Sequence, residues 1–308
     1  MNPPLALFLA PDRRLRAGWR FILGAVVFIA ANYGAAKVTA LLPGHGAELA
    51  YRSITTLLLL AGFSGMLYVF DRHRDRFLAR MGLGLDGPWL RQSLVGTALG
   101  AAMVALGVAV IASVGHVQFR WIGGWTVRQL ALAVGLQIMV LAVAAMLEEV
   151  AFRGYPFQRL VEAIGPVLAL IILNGLFGAV HLGNPHASFW GFLNTVAIGV
   201  VLGIAYLRTH ALWLPWGIHF GWNAMLGLVF GLPVSGTEQF RTMIAGSAEG
   251  PLWLTGGGYG IEASATGALA ILLGLAGVIA VTPQPPAPIS SPSEAATPLP
   301  EAASIPPQ

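Results

Sequence analysis

Residues 144–160 read AAMLEEVAFRGYPFQRL: an apolar run leads into two adjacent glutamates, Glu148 and Glu149, and Arg153 follows four residues after the second. A charged side chain at membrane depth costs roughly 2.5–3.5 kcal/mol even on the lenient insertion scale. Whether these charges lie in a bilayer therefore decides what the chain is. Of its 308 residues, 56% are hydrophobic and 10% charged, with a mean hydropathy of +0.73. Soluble domains carry about 25% charged residues. The composition is that of an integral membrane protein, and the charges of 144–160 sit in its midst.

Windows of about 20 apolar residues, enough to cross about 30 Å of hydrocarbon, fall near 18–42, 50–70, 93–115, 129–152, 164–182, 188–207, 212–231 and 261–282. The fold class predicted is all-α, a polytopic membrane protein of about eight transmembrane helices. The positive charge is almost wholly arginine, sixteen against the single Lys37. With a cytoplasmic N-terminus and eight crossings, twelve arginines fall on the cytoplasmic side and four (Arg52, Arg120, Arg128, Arg241) on the other. That bias places both termini in the cytoplasm. Arginine beside membrane spans sets topology, so no nucleic-acid partner is expected, and the partner of the apolar surface is the lipid bilayer. Absence of cysteine excludes disulfides, thiolate metal sites and a cysteine nucleophile. The expected organisation is a cytoplasmic N-terminal segment 1–17, membrane helices over 18–128, a helical core over 129–231, an external loop 232–260, a last span 261–282, and a tail 283–308. The tail is rich in proline and poor in anything to bury, which predicts disorder.

Few polar side chains interrupt the spans. Glu148, Glu149 and Arg153 stand in the fourth, Asn174 and His181 in the fifth, Asn194 in the sixth, and His219 and Asn223 in the seventh. Residues four apart share a helix face, which joins Glu149 to Arg153, Phe177 to His181, and His219 to Asn223. Glu148 points about 100° away from Glu149, so it is left without the arginine. Counted at 1.5 Å per residue, both Glu148 and His181 lie about 22 Å from the cytoplasmic end, provided helix four runs on to about residue 163. Asn174 and Asn194 read as hydrogen bonders between helices. The Gly96/Gly100 and Gly217/Gly221 pairs read as close-packing contacts.

The three patterns EEVAFR (148–153), FGAVH (177–181) and HFGWN (219–223), complete and in order on successive apolar segments, resemble the CAAX protease and bacteriocin-processing (CPBP, or Abi) intramembrane proteases. The resemblance covers roughly 129–231. It implies a membrane endopeptidase with a catalytic cavity between helices, working near the cytoplasmic leaflet. It also implies roles: Glu148 to activate water, His181 to help hold it, His219 and Asn223 to stabilise the oxyanion, and Glu149 and Arg153 to brace the site, with Phe177 as support. The substrate implied is a peptide, either a prenylated C-terminus or a leader or membrane peptide. The short loops and arginine-rich composition favour a bacterial inner membrane. No cofactor is required by these patterns. A divalent metal, zinc, is the alternative, with Glu148, His181 and His219 as its candidate ligands. Intramembrane Glu and His also build proton relays, so a proton-coupled transporter is a competing class, and a non-catalytic membrane adaptor is a third.

Overall fold

A computed structural model describes residues 3–40, 46–114, 117–240 and 243–282. The tail expected to be disordered lies outside the described residues. The chain forms α1 (Pro3–Phe8), α2 (Ala17–Thr39), α3 (Gly46–Val69), α4 (Trp89–Ser113), β1 (Val117–Trp121), α5 (Val127–Arg153), α6 (Tyr155–Ile164), α7 (Pro166–His181), α8 (Phe189–Thr209), α9 (Trp213–Ala224), β2 (Ile244–Ala248), α10 (Leu252–Thr255) and α11 (Ala265–Val281). Among the described residues, five apolar helical spans are long enough to cross a membrane, with α5 and α6 counted as one stretch over Val127–Ile164. The shorter apolar α7 and α11, together with α9 and the π-turn Met225–Val229 that extends it, account for the remaining windows. Ile22, Ile29, Leu57, Ile171 and Leu272 project outward and exposed, the surface a helical bundle shows to lipid.

Two buried apolar clusters fill the bundle. One joins α4, α5, α8, α9 and α11; the other joins α2, α3, α5, α6 and α7. Helix α5 serves both, so the residues on its C-terminal half stand at the centre. The glycine pairs lock α4 to α9: a Cβ on Gly96 would lie 3.0 Å from the Gly217 Cα, and one on Gly100 would run into the Ile218 carbonyl oxygen. Residues 217 and 221 thus face α4. Residues 219 and 223, two positions on and about 200° round the helix, face the other way.

The two ends of the bundle differ. At one, Asp71 is buried and accepts from Arg20, from the Tyr155 hydroxyl at 2.8 Å and from Arg159 at 2.6 Å. Gln158 there bonds the Tyr206 hydroxyl at 2.6 Å. This is the arginine-rich end. At the other, β1 and β2 pair antiparallel with Val117 opposite Ala248 and Trp121 opposite Ile244. That small sheet is an addition to the all-helical expectation, built where 232–260 folds back over the helix ends.

Candidate active site

Helix α5 begins at a capping box, in which the Thr126 side chain accepts from the Gln129 N–H and Gln129 answers to the Thr126 N–H. It ends at Gly154, where a side chain would collide with the Val150 carbonyl oxygen. Helix α6 then resumes with Pro156 in its first turn. Helix four thus neither stops at Phe152 nor runs straight to 163; it breaks once and continues. The break leaves Arg153 in the middle of the protein, 1% exposed.

Its guanidinium makes three hydrogen bonds. Nη1 donates to Glu149 Oε1 at 3.2 Å, and Nη2 donates to Asn174 Oδ1 at 3.0 Å and to the Gly199 carbonyl at 3.1 Å. The Phe177 ring covers it at 4.5 Å. Gly199 is required for this approach, since a Cβ there would lie 2.6 Å from Asn174 Oδ1. A buried ion pair is costly unless further hydrogen bonds support it, and here α5, α7 and α8 supply them to the guanidinium, while Glu149 Oε2 has no partner among the described residues.

The two histidines are each fixed through Nδ1. His181 Nδ1 meets the Phe177 carbonyl at 2.8 Å, and His219 Nδ1 meets Glu149 Oε1 at 2.9 Å. With Nδ1 carrying the hydrogen in both bonds, both Nε2 atoms are left for the cavity. They point at one atom: Glu148 Oε2 lies 3.8 Å from His181 Nε2 and 3.6 Å from His219 Nε2. That oxygen is buried and accepts no hydrogen bond among the described residues. Glu149, fully buried, serves Arg153 and His219 together. The i,i+4 spacing named the first of these partners and not the second. Phe177 has three uses: its carbonyl holds His181, its ring stacks edge-on to the same imidazole at 4.6 Å, and its face covers Arg153.

A cavity of about 280 Å3 opens onto Glu148, His181, His219 and Asn223. Its outer wall includes Tyr51 and Arg52 near the start of α3, Asn184 after α7, and Thr237 and Gln239 of the loop. All of these belong to the end that carries β1 and β2. The mouth is therefore at the end opposite the arginine-rich one, not beside it as the resemblance implies. The cause is the shortness of α7: it has 16 residues, and His181 is the last of them.

Glu262, in the turn before α11, was not among the residues singled out by spacing. It belongs to a second cavity of about 40 Å3 that also reaches His181, His219 and Asn223. Trp222 Nε1 donates to its Oε1 at 3.1 Å, the Ser235 N–H donates to Oε2, and the Ser235 hydroxyl donates to Oε1 at 3.2 Å. Its own carbonyl accepts from Asn194 at 2.9 Å. Glu262 thereby ties the loop to the residue next to Asn223. The signal was present, because it is the one acidic residue of the window 261–282.

No curated protein sequence and no solved structure matches the chain. A family model does: residues 129–225, under a third of the chain, match the model described as type II CAAX prenyl endopeptidase Rce1-like, and Glu148, Glu149, Arg153, Phe177, His181, His219 and Asn223 all fall within the matched segment.

Proposed function

We propose that the protein is an endopeptidase that hydrolyses a peptide bond within the bundle, on a water activated by Glu148. The observation that carries this reading is the convergence of both Nε2 atoms on Glu148 Oε2, a buried oxygen with no hydrogen-bond partner among the described residues. Gaps of 3.6 and 3.8 Å are too long for direct hydrogen bonds, yet a single water oxygen between them reaches all three groups. Glu148 Oε2 accepts one hydrogen of that water and His181 Nε2 the other, leaving a lone pair for the scissile carbonyl carbon. As the C–O bond forms, Glu148 takes the proton. His219 Nε2–H and the Asn223 amide donate to the oxyanion, and the Glu149 carboxylate compensates positive charge on the His219 ring. The tetrahedral adduct then expels the amine, which leaves with the proton from Glu148.

The substrate is a peptide presented from the bilayer, lipid-modified or membrane-embedded. We place the arginine-rich end in the cytoplasm on the twelve-to-four distribution. The steps above use Glu148, Glu149, His181, His219 and Asn223 alone; in the metal-assisted alternative Glu148, His181 and His219 would be the zinc ligands. The test is direct. The full chain, reconstituted in vesicles, is offered a library of membrane-anchored and farnesylated peptides, and products are sized by mass spectrometry. One internal cleavage per substrate, undiminished by prolonged chelation, is expected. Proton flux without cleavage would replace this reading with the transporter. Loss of activity on chelation, restored by zinc, would make Glu148, His181 and His219 ligands.

A further inference from the structure

A groove of about 590 Å3 lies at the arginine-rich end and shares no residue with the catalytic cavity. It forms where the start of α4 meets the last turns of α8 and α11, and Arg91, Gln92, Val95, Arg208, Leu214 and Ala280 belong to its walls. Two arginines line it, and no aspartate or glutamate does. Arg91 is exposed, and its guanidinium has no partner among the described residues. Arg208 is fixed: Nε donates to the Thr282 hydroxyl and Nη2 to the Thr282 carbonyl at 2.9 Å, which ties α8 to the end of α11. Its Nη1 has no partner among the described residues. Gln92 adds an orphan, since its Oε1 is buried yet accepts no hydrogen bond among the described residues. A buried acceptor without a donor is costly, so the groove calls for a ligand that donates a hydrogen bond as well as carrying negative charge. The start of α4 strengthens the positive field, because Pro88 precedes it and no side chain caps its first N–H groups.

We propose that this groove binds an anionic phospholipid with a hydroxyl-bearing headgroup, of the phosphatidylglycerol kind. Its phosphate sits between Arg91 and Arg208, a headgroup hydroxyl donates to Gln92 Oε1, and its acyl chains follow the outer face of α4 and α11. Depth argues for a lipid. Arg91 is the third residue of α4, Arg208 stands one residue from the end of α8, and Val281 is the last of α11. The charges thus lie within a turn of the helix ends, where hydrocarbon gives way to headgroups. The surface beside them is apolar: Leu90 and Leu94, a turn apart on α4, and Ile279 and Val281 on α11 are exposed. Further in, α4 and α11 close on each other, since a Cβ on Gly277 would lie 2.7 Å from a methyl carbon of Leu99. A ligand in the groove therefore has its polar part at the arginines and its apolar part on the lipid side. Basic pockets between membrane helices suit such headgroups, and arginine meets phosphate with paired donors. The bound lipid also braces α4, the helix that interlocks through Gly96 and Gly100 with α9, which carries His219 and Asn223. One other occupant has the right charge: the segment after Thr282 carries Glu294 and Glu301 and no lysine or arginine.

The full chain in a nonionic detergent is titrated with dioleoyl phosphatidylglycerol or dioleoyl phosphatidylcholine, and bound lipid is counted by native mass spectrometry. Affinities are compared as the ratio between the two lipids within each protein, so that differences in folded fraction cancel. Wild type is expected to bind one phosphatidylglycerol about 10- to 100-fold tighter than phosphatidylcholine, the value of charge-assisted contacts. Arg91→Gln combined with Arg208→Gln is expected to lose most of that preference, and an unchanged ratio would overturn the site. Arg13→Gln combined with Arg74→Gln removes the same charge from exposed positions at the same end and is expected to leave the ratio as in wild type. An equal loss in that control would reduce the preference to diffuse attraction and overturn the groove. Gln92→Leu is expected to weaken phosphatidylglycerol by about 2- to 10-fold, the value of one neutral hydrogen bond; an unchanged affinity would overturn the choice of a hydroxylated headgroup. Glu294→Gln combined with Glu301→Gln is expected to change nothing, and a clear gain in lipid affinity would give the groove to the tail. Displacement of the lipid by millimolar glycerol phosphate would make this a site for free phosphate instead. A measurement on wild type alone guards against a misfolded variant. Phosphatidylglycerol is expected to raise the melting temperature above that in an equal concentration of phosphatidylcholine, and equal values would overturn the proposal.

Discussion

Glu148→Gln is expected to lower peptide hydrolysis by about 10²–10⁴-fold, the contribution of a positioned general base, while leaving the melting temperature of the purified protein where it was. The two halves follow from the same geometry. Oε2 of Glu148 makes no hydrogen bond among the described residues, so an amide of the same shape removes the proton acceptor and breaks nothing. Glu149→Gln is the opposite case. Its carboxylate is fully buried between Arg153 and His219, and its loss leaves a guanidinium uncompensated at the centre of the bundle. Breaking a buried pair from one side costs about 3–5 kcal/mol. It also frees the His219 ring, so Glu149→Gln is expected to lose stability and activity together. Rates and thermal melts of both variants, measured in one detergent, separate the roles. Wild-type turnover in Glu148→Gln would show that water is activated elsewhere, and a melting loss confined to Glu148→Gln would reverse the two assignments.

That contrast was readable from spacing because both partners of the Glu149–Arg153 pair lie on one helix. So was the meeting of Glu148 with His181, since two helices running from the same end at 1.5 Å per residue reach the same height. The α4–α9 interlock was readable too, in glycines four apart. What escaped was whatever depends on contacts between distant segments. Asn174 reads from the sequence as a hydrogen bonder between helices, and it does bridge them. Its Oδ1, however, accepts one of the three hydrogen bonds that hold Arg153, and nothing in its own neighbourhood indicates an arginine 21 positions away. Glu262 acts on Trp222 and Ser235 across a loop whose course no local pattern gives. The end at which the cavity opens follows from the length of α7 and from the fold of 232–260. The first was countable, and the count of about 22 Å from the arginine-rich end already spoke against a site beside that end. Neither strand of the two-stranded sheet advertises itself: IAGSA lacks the alternation of a half-buried strand, and VQFRW finds a partner only because the loop returns to it.

Asn223→Ala is expected to reduce kcat by about 10²–10³-fold, the range for loss of one oxyanion donor, with little change in KM. Asn223 borders both cavities, one helical turn beyond His219. Its helix has little freedom to yield. On one face Gly217 and Gly221 press against α4, where a Cβ on Gly217 would lie 2.5 Å from the Ser93 carbonyl. On the adjoining position Trp222 is tied to Glu262 at 3.1 Å. Donors held this firmly cost no reorganisation when charge appears on the substrate oxygen, and a ground-state carbonyl gains less from them than an oxyanion does. An interaction made in the transition state alone lowers kcat and kcat/KM equally. The amide of Asn223 is exchangeable for another donor of similar reach, so Asn223→Asp is expected to fail, by placing a negative charge where one must develop, and Asn223→Gln to recover part of the rate. The mirror pattern, normal kcat with a greatly raised KM in Asn223→Ala, belongs to a residue that grips the peptide before reaction. It would move Asn223 from the oxyanion to the substrate-binding wall and leave His219 as the donor to be tested.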